Sequence, residues 1–203
     1  EKEISYREHL ATTYGKSRQM VSGLHYNFEF GASLIQALFN AQDQEEDVIQ
    51  FQNELYLKVA RAYLRYRWLV TYLFGASPIA EAGYFAHPDQ APQGPIRSIR
   101  NSSFGYTNVA NLSVPYTSLD DYTQAIERFV AEGQLLAEKE YYAPVRLRGA
   151  KTMSALRETG IRYLEIRNFD LNPFATYGMS ESQLTWMHLF LLTLLWMDEQ
   201  DYD

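Results

Sequence analysis

Apolar and polar residues alternate along Tyr163–Phe174, and this alternation predicts a β-strand. Leu164 and Ile166 share one face of that strand, whereas Glu165 and Arg167 share the other. A carboxylate and a guanidinium among aromatic residues need partners, because an unpaired buried charge is costly. Those partners are a metal ion, a phosphate group or each other, and a purely structural ion pair fits the pattern equally well.

Two further strands are predicted over Met20–Phe30 and Leu136–Leu147, the second bent at its proline. In the first, aromatic and aliphatic residues alternate with His25, Asn27 and Glu29, which therefore share one face. Such a face can hold a metal ion or orient a carboxylate substrate, and it is also an ordinary solvated sheet surface. We interpret Glu29 as structural or exposed.

Helical periodicity and capping residues predict most of the remaining elements. Between residues 75 and 117 no period is visible and Gly, Pro and Ser are frequent, which predicts a long loop. The predicted helices cover residues 3–14, 34–39, 45–74, the segment from Ser118 to Gly133, and the segment that Ser180 begins.

The order of these elements predicts an α+β fold, with a mainly antiparallel sheet and helices packed on one face. Strands do not alternate regularly with helices, as they would in a doubly wound parallel sheet. Since the helices cover only one face, the opposite face is predicted to be polar and to form the floor of a cleft. Residues 1–203 are predicted to form a single domain.

The composition limits the classes of function. A hydrophobic content of 46% in 203 residues is enough for one sizeable core, and 16 tyrosines suit the wall of a small-molecule cleft. A net charge of −7 argues against binding to nucleic acid or to an anionic membrane. The absence of cysteine excludes disulfides and zinc–thiolate sites, and it fits a cytoplasmic protein.

Several common catalytic motifs are absent. The sequence has no phosphate-binding loop, no dinucleotide fingerprint, no nucleophile elbow and no paired zinc histidines. Within the long loop, Arg97–Asn108 contains two arginines and several hydroxyl groups. These groups suit the binding of carboxylates, and they suit ordinary loop hydrogen bonding as well.

A resemblance narrows the choice. Five segments, in order, resemble signature segments of the glutamate–cysteine ligases, and they are more specific together than any single motif. The resemblance is to the bacterial type, including the ligase half of bifunctional glutathione synthases. The segments are Ser22–Phe28, Tyr72–Pro78, Gly105–Asn108, Tyr142–Arg146 and Tyr163–Phe174.

This resemblance implies ligation of the γ-carboxyl group of L-glutamate to the amine of L-cysteine at the expense of ATP. The reaction passes through γ-glutamyl phosphate and is the first step of glutathione biosynthesis. The implied cofactors are ATP and Mg²⁺, and the implied partners are glutamate, cysteine and ATP, with no nucleic acid and no membrane. The implied fold is part of a glutamine-synthetase-like catalytic domain.

The same resemblance assigns roles to individual residues. Glu165 falls on a magnesium ligand, and His25 falls on a position close to metal and phosphate. Arg167 falls on a catalytic position near the ATP phosphates, and Arg100 on one that pairs with a substrate carboxylate. Asn27 falls beside glutamate, and the others in or near the cysteine pocket; these substrate-binding positions are Tyr6, Leu10, Gln19, Asn27, Tyr106 and Tyr142.

The chain departs from the family pattern in one respect. The ligases supply most metal-binding carboxylates from a segment before the position of Glu1, and residues beyond Asp203 are also expected to belong to the domain. The chain is therefore expected to be an incomplete catalytic domain that is inactive by itself. Two alternatives remain, namely a related carboxylate–amine ligase with another amine acceptor and a non-catalytic module that keeps the fold.

Overall fold

Three antiparallel strands form the sheet, in the computed structural model that describes residues 2–19, 21, 23–42, 47–85, 88–108 and 112–199. The strands are β1 (Gly23–Phe28), β2 (Val145–Arg148) and β3 (Tyr163–Asp170), with β3 in the middle. The helices are α1 (Lys2–Tyr14), α2 (Lys16–Gln19), α3 (Ala32–Asn40), α4 (Val48–Tyr66), α5 (Trp68–Phe74), α6 (Leu119–Ala131), α7 (Met153–Thr159) and α8 (Glu181–Trp196), with short 3₁₀ turns at Pro88–Gln90 and Glu138–Glu140.

The apolar face of the sheet packs against the helices, and this confirms the predicted α+β fold. Leu164 and Ile166 of β3 are fully buried, as is Val145 of β2. They belong to one core with Leu57 and Tyr63 of α4, and α8 packs against the same helix. The core therefore lies on one side of the sheet and leaves the other side for polar residues. No helix in the described part of the chain is long and apolar enough to cross a membrane.

Side-chain caps fix the starts of two predicted helices. Ser118 accepts a hydrogen bond from the backbone N–H of Asp121 at 3.0 Å. Ser180 and Gln183 form a reciprocal capping box at the start of α8. Both caps satisfy N–H groups that have no partner inside the helix, so these boundaries are confirmed.

The helix predicted over residues 45–74 is two helices, because the chain turns at Arg67 between α4 and α5. Neither glycine nor proline marks this break in the sequence. A further helix, α7, was not predicted. Thr152 caps it by accepting a hydrogen bond from the N–H of Ala155 at 3.2 Å, and Gly160 follows its last residue.

The strand predicted over Leu136–Leu147 is largely wrong, since β2 begins only at Val145. Two carboxylates bind backbone groups there and fold the chain into a 3₁₀ turn instead. Glu140 Oε2 accepts from the N–H of Leu136 at 2.6 Å, and Glu138 Oε2 accepts from the N–H of Met153 at 3.0 Å. Local bonds of this kind compete with a strand ladder.

β1 is also shorter than the predicted strand Met20–Phe30, whose Met20 and Ser22 lie outside the described residues. Glu29 follows the strand and forms an exposed ion pair with Arg162 at 3.1 Å, which agrees with its interpretation as structural or exposed.

The pairing of β1 with β3 contains a β-bulge. Leu24 pairs with Phe169 and Tyr26 pairs with Ile166, so one residue of β1 faces two residues of β3. An extra residue exchanges the two faces of a strand. Beyond the bulge, Phe169 therefore enters the core, where it is 1% exposed.

Candidate active site

Polar side chains from all three strands converge on the face of the sheet that is opposite the core. Asn27 of β1 and Arg146 of β2 both pair with Glu165 of β3 in the strand register. His25 Nδ1 lies 2.8 Å from Glu165 Oε1. The prediction that positions 25 and 165 face the same way is therefore confirmed.

His25 links a carboxylate to a guanidinium. Its Nδ1 contacts Glu165, and its Nε2 accepts a hydrogen bond from Arg167 Nε at 3.3 Å. Burial, followed by the charge of Arg167, lowers the pKa of His25 from its ordinary value of 6.5. The neutral imidazole thus carries its proton on Nδ1 and offers the Nε2 lone pair to Arg167.

Glu165 is surrounded by cations. Its Oε2 lies 3.3 Å from Arg148 Nε, and its Oε1 lies 4.0 Å from Arg167 Nε. Among the described residues, no group of three His, Cys, Asp or Glu side chains could hold a metal ion. The assignment of Glu165 and His25 as metal ligands stays a prediction, and the described residues do not complete a metal site by themselves.

Arg167 lies within the bulge, and both of its backbone groups are hydrogen-bonded. The N–H of Arg167 donates to the carbonyl of Pro144 at 2.8 Å, and the carbonyl of Arg167 accepts a hydrogen bond from Arg100 Nη1 at 2.8 Å. The guanidinium of Arg167 lies over the ring of Tyr142, 5.1 Å from the ring centre. Its Nη1 atom is buried and has no hydrogen-bond partner among the described residues.

Arg100 reaches the same place from the long loop. It is 8% exposed, and its Nε atom has no hydrogen-bond partner within the part of the chain that the structure describes. A Cβ atom at Gly23 would lie only 2.2 Å from both Cζ and Nε of Arg100. The bare backbone of Gly23 is therefore the surface on which this guanidinium rests.

The carboxylate of Asp170 anchors the loop that carries Arg100. It is 5% exposed and lies at the end of β3, beyond the bulge. Its two oxygens accept five hydrogen bonds of 2.8–3.1 Å. The donors are the N–H groups of Ala76 and Ser77, the hydroxyl groups of Ser77 and Ser98, and the amide of Asn101.

A cavity of about 370 Å³ brings most of the predicted site residues together. The ring of Tyr106 lies edge-on to that of Tyr142, with 5.3 Å between their centres. Asn27 is not among the described lining residues, and the side chain of Gln19 lies outside the described part. Predicted residues in the lining are Tyr6, Leu10, His25, Arg100, Tyr106, Tyr142 and Arg167; Val21, Gly23, Lys139 and Glu140 join them.

The charge of this cavity is opposite to that of the chain. Arg100, Lys139 and Arg167 line it, whereas Glu140 is the one carboxylate in the described lining. Glu140 is already engaged by the hydroxyl group of Tyr14 at 2.7 Å. The described lining therefore carries more positive than negative side chains, and it favours an anionic ligand.

Two tyrosines of the cavity, Tyr6 and Tyr106, are hydrogen-bond donors at neutral pH. Burial raises the pKa of Tyr106 to about 12, with smaller contributions from Tyr6 and Glu140. Burial also raises the pKa of Tyr6, and Glu140 adds to the effect. Each phenol therefore keeps its proton and can donate to a carboxylate.

Comparison with known proteins identifies the family. A family model described as glutamate–cysteine ligase matches residues 1–134 and 131–203. The chain belongs to the glutamate–cysteine ligase family. The resemblance drawn from the five sequence segments is thereby confirmed.

The glutamate–cysteine ligase relatives are much longer than this chain. The glutathione biosynthesis bifunctional protein GshAB of Enterococcus faecalis is 54% identical over 98% of the chain, which spans 26% of that protein. The GshAB protein of Streptococcus thermophilus is 51% identical, again over 98% of the chain and 26% of the relative.

Two solved structures share the fold. A bifunctional glutathione synthetase from Pasteurella multocida has a TM-score of 0.88 and 42% identity, over 99% of this chain and 26% of that one. A glutamate–cysteine ligase from Francisella tularensis, in complex with AMP, has a TM-score of 0.79 and 27% identity, over 97% of this chain and 46% of that one.

In this glutamate–cysteine ligase chain, substitution of Gly23 is expected to be costly. Gly23→Ala places a methyl group 2.2 Å from the Arg100 guanidinium and 2.4 Å from the carbonyl oxygen of Phe169. Overpacking of this kind typically costs about 1–3 kcal/mol. The measurement is the unfolding midpoint of the full-length protein.

Gly94→Ala is the matched control, because nothing lies within 4 Å of a Cβ atom at Gly94 and its φ is not positive. It is expected to leave the midpoint unchanged. Equal midpoints for the two variants would contradict the close packing of Arg100 on Gly23.

Proposed function

We propose that this chain forms part of the active site of an ATP-dependent ligase that joins the γ-carboxyl group of glutamate to the amine of cysteine, the first step of glutathione biosynthesis. The observation that carries the proposal is a tyrosine-lined cavity to which Arg100, Lys139 and Arg167 bring positive charge. The family and the names of the GshAB relatives agree with it.

Arg167 is proposed to hold phosphate oxygens of ATP while the γ-carboxylate of glutamate attacks the terminal phosphorus, the bond from that phosphorus to the bridging oxygen breaks, and ADP leaves. A fixed guanidinium there stabilises negative charge as it develops in the transition state. His25 accepts from Nε of Arg167 and contacts Glu165, so the neutral imidazole keeps both side chains in position. No proton transfer by His25 is required for this role.

Arg100, which lines the cavity, is proposed to pair with a substrate carboxylate. The cysteine pocket is proposed to consist of residues that surround the cavity, with the hydroxyl group of Tyr142 donating to the carboxylate of cysteine. Asn27 is proposed to lie beside glutamate. The pocket residues are Tyr6, Leu10, Gln19, Tyr106 and Tyr142.

ATP and Mg²⁺ are the proposed cofactors. Magnesium, when bound, would neutralise charge on the phosphate oxygens. Glu165 supplies a carboxylate, the donor that this ion prefers, whereas His25 supplies a nitrogen, which it favours less. Two such residues are not a complete magnesium site, so no step is assigned to the metal here. The proposed setting is the cytoplasm, with small-molecule substrates and no nucleic-acid or membrane partner.

The test is ATP-dependent product formation by the full-length protein with glutamate and a series of amine acceptors. γ-Glutamylcysteine is expected as the main product, and the 203-residue chain alone is expected to give no turnover. Preferred use of serine, alanine or 2-aminobutyrate would establish the alternative of another acceptor. No product with any acceptor, from a folded full-length protein, would establish the non-catalytic alternative.

A further inference from the structure

One side chain binds both backbone groups of Tyr142. Asn108 Nδ2 donates to the carbonyl oxygen of Tyr142 at 2.8 Å, and the N–H of Tyr142 donates to Asn108 Oδ1 at 3.0 Å. The two residues are separated by 34 positions in the sequence. Because a donor and an acceptor are both matched, only one orientation of the amide makes the two bonds.

Tyr142 has no strand ladder to hold it. It lies between the 3₁₀ turn Glu138–Glu140 and the start of β2 at Val145, outside any regular element. In this segment the Asn108 amide supplies the pair of bonds that a neighbouring strand would supply. We call this pair of hydrogen bonds the Asn108 clamp. It fixes the position and the direction of the Tyr142 backbone.

Asn108 binds Tyr142 without lining the smaller cavity itself. Tyr142 lines the 370 Å³ cavity and also a second cavity of about 690 Å³. Asn108 lines only the second cavity among the two. It is thus not in the described lining of the proposed cysteine pocket, and its effect on a substrate there must pass through Tyr142.

The segment that contains Asn108 also contains Tyr106, whose ring lines the proposed cysteine pocket. Tyr106 lies two residues before Asn108 and meets the Tyr142 ring edge-on, while Arg167 lies over that ring. The Tyr142 ring is thus held by Tyr106 and Arg167, and its backbone is held by Asn108. Without the Asn108 clamp, the backbone that positions the Tyr142 ring against Tyr106 and Arg167 would no longer be held.

We propose that Asn108 is a positioning residue that sets the affinity for the amino-acid acceptor by holding Tyr142 in place. This inference rests on the proposed ligase function, and in particular on a role for Tyr142 in the cysteine pocket. Asn108 itself does not touch the acceptor.

The test compares Asn108→Ala with Asn53→Ala in the full-length protein. Asn53 is the matched control, because its side chain also binds a backbone group, the N–H of Ile161 at 2.7 Å, but it lines neither cavity. Asn108→Ala is expected to raise KM for cysteine about tenfold, with KM for ATP and glutamate nearly unchanged. Asn53→Ala is expected to leave all three constants nearly unchanged.

Asn108→Asp tests the donor separately. The carboxylate keeps an acceptor for the N–H of Tyr142, but it sets its other oxygen against the carbonyl oxygen of Tyr142. KM for cysteine is therefore expected to rise at least as much as in Asn108→Ala. An Asn108→Asp variant that behaves like the unmodified protein would overturn the clamp.

A readout without catalysis separates this inference from the proposed function. Hydrogen exchange at the peptide that contains Tyr142 is expected to accelerate in Asn108→Ala and to stay constant in Asn53→Ala. If the unmodified protein makes no γ-glutamylcysteine, the proposed function fails and the cysteine-affinity inference fails with it, whatever the exchange result. If it makes the product but Asn108→Ala changes all KM values equally, or none, only the positioning role fails.

Discussion

Replacement of Arg167 by alanine is expected to lower kcat for ligation about a thousandfold in the full-length protein, in line with the loss of a phosphate-binding arginine. The side chain is held between Tyr142 and His25. Its guanidinium also lines the cavity, where it can meet an anion. The measurement is the steady-state rate of γ-glutamylcysteine formation at saturating substrates.

Arg167→Lys distinguishes charge from geometry. Lysine keeps the positive charge but loses the planar fork of donors, so an intermediate rate is expected. The control is Arg128→Ala, since Arg128 is exposed on the surface of α6, where it approaches Glu132 at 4.0 Å and lies over the ring of Phe129, away from the cavity. A fall of less than tenfold in Arg167→Ala, or an equal fall in Arg128→Ala, would refute the role given to Arg167.

Replacement of Asp170 by alanine is expected to have the largest effect on local stability. It removes the acceptor of five hydrogen bonds and leaves the loop around Ser98 and Asn101 without its anchor. A local cost of about 3 kcal/mol is expected, because bonds to a charged acceptor are stronger than neutral ones. Amide exchange of residues 98–102 should then accelerate roughly a hundredfold.

Asp170→Asn is expected to give a smaller change, because the amide keeps one acceptor oxygen. Asp121→Ala is the control, since this carboxylate is exposed and accepts a hydrogen bond from Thr117 at 2.7 Å, away from the loop. Slow exchange in Asp170→Ala would mean that other contacts hold the loop that carries Arg100.

Local signals in the sequence predicted the elements that local physics determines. The Ser118 and Ser180 caps and the alternation from Leu164 to Arg167 depend only on neighbouring residues, and the structure has each of them. Thr152 and Gly160 are equally local signals for α7, so that helix could have been predicted from the sequence.

Features that depend on distant residues were not predicted. Strict alternation places Asp170 on the apolar face with Ile166 and Phe169 on the polar face, the reverse of what a carboxylate and an aromatic ring favour. The β-bulge causes this conflict, and its position is set by pairing with β1. Likewise, the carboxylates of Glu138 and Glu140 bind backbone groups that an alternating pattern does not reveal.

The candidate site shows the same division. The resemblance named most of the residues that line the cavity, but it gave no role to Gly23, Asp170 or Asn108. Gly23 contacts Arg100, Asp170 binds the loop that carries Arg100, and Asn108 binds Tyr142. In each case the two partners are far apart in the sequence. Support of this kind becomes visible only when the tertiary contacts are known.

The strand order has a consequence for synthesis of the chain. Both outer strands, β1 and β2, leave the ribosome before the central strand β3 that joins them. Until Tyr163–Asp170 has emerged, neither strand has the partner that it has in the described sheet, and that open edge can mispair with other nascent chains. The last step of sheet assembly is thus also the one that first brings His25 to Glu165 and creates the site.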